Sequence, residues 1–457
     1  MTDATTQPAA ALRAEERKLL ACVHCGLCLE ACPTYVHTGD ECDGPRGRLY
    51  LMSAVAGGRV AADSRAFDVH ISRCLGCRAC ESACPAGVEY GQLLEAARSD
   101  IARAGARRGM TNRLLRFTLR HVWLHPARLR AAFALARLLR DARLPRLLVR
   151  TKLTKFLPRR LALAAALLDA SAPDARPAAR GVGKRGGARV VVKSGGGETA
   201  ARALLFEGCV GAGLFARVNE ATARVLAANG CAASAPAGQV CCGALHAHAG
   251  DLEGARRLAR RNVEAFAGDA HAPVVTNAGG CGAMLASYAQ LLAHEEDYAE
   301  RARSFSARVR DVSQQLAATG VREGAAVGGE VTTYDASCHL IHGQRAHDEP
   351  LKMLAAIPEL RFVPLEGSDV CCGGAGVYNL VETGMSERVL GEKLRHLERA
   401  GARVVATGNP GCQMQIGAGA RLDGLRLRVC HPVELLDESY RRAGFYDGNE
   451  TNEDGQG

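Results

Sequence analysis

The sequence predicts an α+β multidomain chain: a helical N-terminal module, then two tandem α/β cysteine-rich repeats. Two observations carry this. Eight cysteines near the N-terminus fall into two copies of one pattern. Cys22, Cys25, Cys28 and Cys32 precede Pro33, and Cys74, Cys77, Cys80 and Cys84 precede Pro85. Farther on, two stretches repeat the order Cys, Cys-Cys-Gly, Cys in near-constant register.

Both N-terminal copies read C-x2-C-x2-C-x3-C-P, the ligand run of two-cluster ferredoxins. In such runs the first three thiolates hold one [4Fe–4S] cluster and the fourth crosses to the other. That wiring assigns Cys22, Cys25, Cys28 and Cys84 to one cluster, and Cys74, Cys77, Cys80 and Cys32 to a second. Structural zinc is the competing reading, but three cysteines within seven residues suit a cubane corner better than two open ligand pairs. The opening Met-Thr-Asp-Ala-Thr-Thr has no basic or apolar signal region, so a reducing, cytoplasmic compartment is expected and disulfides are not. The module is placed at 11–105. The 41 residues between Cys32 and Cys74 include Gly47 to Val55, which reads as helical and argues for the α-helical ferredoxin type. Before that helix, Asp43-Gly44-Pro45-Arg46-Gly47-Arg48 is a turn. Its two arginines either lie near a cluster and raise its potential or are solvated turn residues.

Residues 106–170 form a basic helical region. Between Ile101 and Leu168 stand 17 Lys and Arg against the single acid Asp141. Arg113, Arg116, Arg120, Arg137, Arg140 and Arg143 recur at helical spacings, as on an amphipathic helix facing an anionic membrane surface or an acidic partner. The alternative is a solvated arginine face over an ordinary core stripe. No apolar run reaches spanning length. Nucleic acid is not expected, since no recognised binding fold accompanies the charge. Residues 171–200 read as a linker, and 447–457 as a disordered tail.

The first repeat (201–325) carries Cys209, Cys241, Cys242 and Cys281; the second (326–440) carries Cys338, Cys371, Cys372 and Cys412. Offsets of 129, 130 and 131 residues keep the register. Each first cysteine ends an apolar strand (203–206 and 331–334). Each last one follows another (274–277 and 404–407) and precedes a helix. Helical stretches at 251–267 and 385–399 alternate with these strands, implying parallel sheets with ligands at their carboxyl ends. A C-C-G turn can aim two thiols at one site, so the eight repeat cysteines are candidates for an additional iron–sulfur or other metal site, or a thiol redox centre. Buried structural thiols are the plainer alternative. Cys42, Cys231 and Cys430 have no counterpart in either pattern. His246, His248, His339 and His342 lie near the repeat cysteines and read as hydrogen-bonded structural residues. Gly211-Ala212-Gly213-Leu214-Phe215-Ala216 fits a dinucleotide fingerprint, but the acid expected about 20 residues on is missing, so nicotinamide or flavin binding is rejected.

Taken together, Cys22-Val23-His24-Cys25-Gly26-Leu27-Cys28, Cys32-Pro33-Thr34-Tyr35, the Asp43–Arg48 turn, Leu75-Gly76-Cys77-Arg78-Ala79-Cys80-Glu81 and the paired repeats resemble the iron–sulfur subunit of bacterial glycolate oxidase (glycolate dehydrogenase). The repeats are similar to the CCG domains of heterodisulfide reductase and of lactate-utilisation and glycerol-3-phosphate dehydrogenase iron–sulfur subunits. The resemblance covers residues 15 to about 105 and 200 to 440. It implies an oxidoreductase complex in which FAD-binding subunits oxidise glycolate to glyoxylate. This chain, without substrate chemistry of its own, passes electrons to a quinone or other membrane acceptor, peripheral to the inner face of the cytoplasmic membrane. The related lactate and glycerol-3-phosphate dehydrogenase subunits and a heterodisulfide-reductase-like thiol/disulfide oxidoreductase are the alternatives. One departure weighs against the last. Where the heterodisulfide reductase domains have C-x-x-C, Ala278 and Asn409 stand three residues before, and Met284 and Gln415 three after, Cys281 and Cys412.

Overall fold

A computed structural model describes residues 9–105, 109–173 and 201–447. The linker and tail expected from the sequence fall almost wholly outside these ranges. The N-terminal module is helical, with no strand among its described residues. The insert between the two cysteine runs folds as Pro45–Ala56 and Arg65–Arg73. Ser64 caps the second of these by accepting from Phe67 N at 3.3 Å. Both pack on Tyr90–Arg103 through Leu49, Met52, Phe67, Ile71, Leu93 and Ile101. The buried Asp100 carboxylate accepts from Ala11 N (3.1 Å) and Leu12 N (2.9 Å), tying the first short helix to this bundle.

Each repeat is built on a parallel sheet. In the first lobe β1 (Ala201–Phe206), β2 (Cys231–Ser234), β3 (Val274–Thr276) and β4 (Val309–Asp311) lie in the order β2-β1-β3-β4. In the second, β5 (Thr332–Tyr334), β6 (Val404–Ala406) and β7 (Arg428–Cys430) lie side by side. There the counterpart of β2 is reduced to a single bridge, Thr332 to Phe362. The last cysteines do not precede their helices, as the sequence suggested, but sit inside their first turns: Cys281 in Gly279–Ala286 and Cys412 in Pro410–Asp423.

One continuous core joins the lobes, running from Ala203 and Val225 to Val404, Leu436 and Tyr440. The helix Pro432–Arg442 of the second lobe lies on Ala216–Ala228 of the first, where Arg224 pairs with Asp437 at 2.8 Å and Arg217 with Glu434 at 2.8 Å. The module is tied on by Tyr378, whose hydroxyl donates to Arg73 O at 2.7 Å.

The described part of the basic region is mostly helical: Met110–Thr118, a π turn at Leu119–Trp123, Pro126–Asp141, Leu144–Arg150, a 3-10 turn at Leu153–Phe156 and Arg159–Ala170. Two of its arginines turn inward rather than onto a basic face. Arg137 donates to Gly213 O at 2.7 Å and Arg140 to Leu214 O at 3.1 Å. Helical spacing alone does not say which exposed carbonyls a neighbouring lobe will offer.

Candidate metal centres

Both N-terminal cysteine runs curl by the same device. His24 and Gly26 in the first, and Gly76 and Arg78 in the second, occupy the left-handed backbone region at equivalent positions. Two left-handed residues within five turn a short loop inward and aim its thiols at one point. The first three cysteines of each run are then met by the fourth of the other. Cys22, Cys25, Cys28 and Cys84 line one cavity, whereas Cys32, Cys74, Cys77 and Cys80 line a second, with Cys80 on the wall between them.

Hydrogen-bond donors gather on the second set. Arg48 is fully buried; its Nη1 stands 3.9 Å from Cys32 Sγ, Nη2 donates to Thr34 Oγ1 at 3.0 Å and Nε to His70 O at 2.7 Å. The Tyr90 hydroxyl lies 3.7 Å from Cys74 Sγ. Arg48 is thus the turn arginine that reaches a cysteine set from within the core. Arg46 lines the first cavity from the surface, held by Glu41. Burial pushes the Cys77 and Cys80 thiols well above their ordinary value, so ionised thiolates there need a cationic centre.

The repeat cysteines also converge. Cys209 Sγ lies 3.5 Å from Cys241 Sγ, and Cys242 contacts both Cys241 and Cys281. The second lobe repeats this chain of contacts through Cys338, Cys371, Cys372 and Cys412. Gly373 makes the turn possible: it has a φ of +81°, and a Cβ there would meet Ser386 O at 2.7 Å. Contact with Cys241, and then burial, raises the Cys209 thiol; contact with Cys372, and then burial, raises Cys412.

The donor chemistry fits iron–sulfur clusters: the eight N-terminal thiols form two crosswise quartets lining adjoining cavities, and hydrogen-bond donors from Arg48 and Tyr90 face the second of them.

The sites are contiguous. Cys77 of the module is close enough to Cys371 and Cys338 to raise their thiols' mutual repulsion, and shares an apolar patch with them and Leu75. Asn409 bridges the lobes: Nδ2 donates to Cys412 Sγ at 3.4 Å, while Oδ1 accepts from Gly280 N, beside Cys281, at 3.2 Å. Sequence reasoning noticed Asn409 only as a missing cysteine. It missed Trp123, which packs in the apolar cluster holding Cys209, Cys241 and Cys242. It also missed the buried pair of Lys393 and Asp335, 2.7 Å apart near Cys371 and Cys372. Of the histidines, His339 stands beside a repeat cysteine, its Nδ1 3.6 Å from Cys338 Sγ, and two others meet oxygen atoms of neighbouring side chains. His246 Nδ1 is 2.8 Å from Asp251 Oδ2 and His342 Nδ1 is 2.7 Å from Ser82 Oγ; burial lowers His339 and His342 to about 3 and about 4. Cys231 and Cys430 are buried in β2 and β7.

Comparison with known proteins agrees with this geometry. Residues 18–88 match the 4Fe-4S dicluster domain family, and residues 203–286 and 332–417 each match the cysteine-rich CCG domain family. The chain is 37% identical to the probable glycolate oxidase iron-sulfur subunit of Bacillus subtilis (strain 168), over 93% of this chain and 95% of that protein. The chain belongs to the glycolate oxidase iron–sulfur subunit family. Within that family, the glycolate oxidase iron-sulfur subunit of Escherichia coli (strain K12) is 32% identical over 97% of this chain and 99% of its own length. The lactate utilization protein A of Shouchella clausii (strain KSM-K16) is 30% identical over 51% of this chain and 97% of its own length. Iron–sulfur clusters are therefore this chain's cofactors, and the N-terminal module is its 4Fe-4S dicluster domain.

Proposed function

We propose that this chain is the electron-transfer subunit of a glycolate-oxidising complex, taking electrons from FAD-binding subunits and delivering them to a quinone at the membrane. The observation that carries the reading is the near-full-length likeness to glycolate oxidase iron–sulfur subunits in a chain whose eight N-terminal cysteines line two adjoining cavities. Cys22, Cys25, Cys28 and Cys84 hold one [4Fe–4S] cluster and Cys74, Cys77, Cys80 and Cys32 the other; bound there, each supplies a one-electron carrier. The chain's own residues do the remaining work. The left-handed loops fix the thiolates, the insert helices exclude water from Cys32 and Cys74, and Arg48 and Tyr90 stabilise the added negative charge. The quartets Cys209, Cys241, Cys242, Cys281 and Cys338, Cys371, Cys372, Cys412 are further metal sites, reached from the module through Cys77. The complex lies peripherally at the inner face of the cytoplasmic membrane.

A lactate-oxidising complex is the second reading, favoured by the likeness to lactate utilization protein A. Disulfide reduction is disfavoured, because neither lobe has a fifth cysteine three residues before its last one (Ala278, Asn409) or three after it (Met284, Gln415). The test uses the assembled complex and a Cys25→Ser variant. Glycolate should still reduce the flavin in the variant while turnover with a quinone analogue collapses. Failure of glycolate to reduce the flavin of the variant complex would contradict this division of labour, and faster flavin reduction by lactate would favour the second reading.

A further inference from the structure

The helices at 110–161 carry the molecule's most unusual surface. Of the twenty exposed large hydrophobic side chains among the described residues, eleven fall there, including Met110, Leu114, Phe117, Leu138, Leu147 and Phe156. Phe156 is 87% exposed and Leu138 67%. Such residues in contiguous helices mark an interaction surface rather than scatter. On Met110–Thr118 the three recur at i, i+4 and i+7, one face of the helix.

The same stretch is strongly one-signed. From Arg113 to Arg160 there are 14 Lys and Arg and one acid, Asp141, which is itself held by Arg140 at 2.9 Å. Arg137 and Arg140 turn inward and Arg159 pairs with Glu387 at 3.8 Å, but most of the remaining basic side chains are exposed. Exposed Leu and Phe interleaved with this excess of Arg and Lys suit an interface that is apolar just beneath a layer of negative charge. An acidic protein surface would match the charge but would leave so many isolated leucines poorly used.

The inner face is committed elsewhere. Trp123 packs in the apolar cluster of Cys209, Cys241 and Cys242, and Phe133 lies on Gly213 so closely that a Cβ there would collide with its ring. The outward face is therefore what remains for a partner.

We infer that the helices at 110–161 dock the chain on an anionic lipid bilayer, with their leucines and phenylalanines in the interfacial region and their arginines on lipid phosphates. The inner side of these helices packs on the first lobe's thiol quartet through Trp123, which touches Cys209. The inference deepens the peripheral location proposed above and stands apart from the electron-transfer reading, which iron content and flavin assays test separately.

The experiment is flotation of the purified full chain with vesicles of phosphatidylcholine, alone or with about 30% phosphatidylglycerol. Three forms are compared: wild type, a Leu138→Glu/Phe156→Glu variant and an Arg143→Glu/Lys152→Glu variant. All four substituted positions are exposed, so folding is kept, checked by circular dichroism and iron content. Wild type should bind the anionic vesicles roughly tenfold better than the neutral ones, losing binding as salt rises. Each double variant should lose roughly tenfold on the anionic vesicles. Equal binding to both vesicle types, no binding to either, or unchanged binding by Leu138→Glu/Phe156→Glu would overturn the inference. So would a wild type indifferent to vesicles whose variant fails to assemble with the flavoprotein subunits, which would assign the face to a protein partner.

Discussion

Replacing Arg48 with methionine removes a fully buried guanidinium from beside Cys32 while roughly keeping its volume. Two hydrogen bonds from a charged donor go, to His70 O at 2.7 Å and Thr34 Oγ1 at 3.0 Å, together with a longer buried ion pair to Asp43 Oδ1 at 3.7 Å. At about 1.5–3 kcal/mol each the gross loss is about 3–6 kcal/mol. Part of the network survives. Thr34 still donates to Asp43 O at 2.8 Å, and Asp43 keeps His70 and Arg73, both at 2.8 Å. That places the cost near the lower end, about 3 kcal/mol, well short of stranding a buried charge. If local opening of this module exposes its clusters, loss of iron to a chelator should accelerate roughly 100-fold. The midpoint potential of the cluster held by Cys32 should fall as well, because a nearby positive charge stabilises the reduced state. Arg48→Lys, which keeps the charge but not the fork, should recover part of the potential and little of the stability. Anaerobic chelator kinetics and EPR-monitored titration of the three proteins read both effects. Wild-type iron loss together with an unshifted potential in Arg48→Met would refute the assignment of Arg48 to this site.

Two further outcomes are expected. Burial raises the Asp311 carboxyl to about 6 from its ordinary 3.8. Because the folded value is the higher one, the proton favours the folded state below about 4 and this advantage is lost as pH rises through about 6; ionised Asp311 then costs about 3 kcal/mol. Asp311→Asn, which can still accept from Ser313 N, should raise the denaturation midpoint at pH near 8 but not near 4, and equal effects at both would show that the charge is not what matters. Asn409→Ala removes the donor to Cys412 and should lower the potential of the second-lobe centre without moving the N-terminal signals. A shift of the N-terminal signals instead would contradict the placement of Asn409 at that site.

Metal ligation made the N-terminal module legible, because it demands fixed local spacing, and that spacing survives in the sequence as two identical runs. Duplication made the lobes legible for the same reason: the register of Cys209, Cys241 and Cys281 is preserved in Cys338, Cys371 and Cys412. Contacts made only by tertiary packing were not. Cys77 meets Cys371, and Asn409 meets Gly280 across 129 residues, with no periodic signal to announce either contact. Arg48 in isolation looks like any turn arginine; only the packing of Pro45–Ala56 against Arg65–Arg73 shows that it is buried. Arg137 and Arg140 share helical spacing with the exposed arginines, and backbone carbonyls at the end of a neighbouring helix decide their direction.

The most direct test of the central claim is iron and acid-labile sulfide per chain after anaerobic purification, with EPR of the dithionite-reduced protein. Two crosswise clusters predict at least about eight irons with as many sulfides, and two magnetically coupled [4Fe–4S] signals. Iron beyond that, roughly four more per site, belongs to the repeat quartets and should disappear in Cys242→Ala or Cys372→Ala. A protein carrying about two zinc ions, no labile sulfide and no signal on reduction would contradict the account.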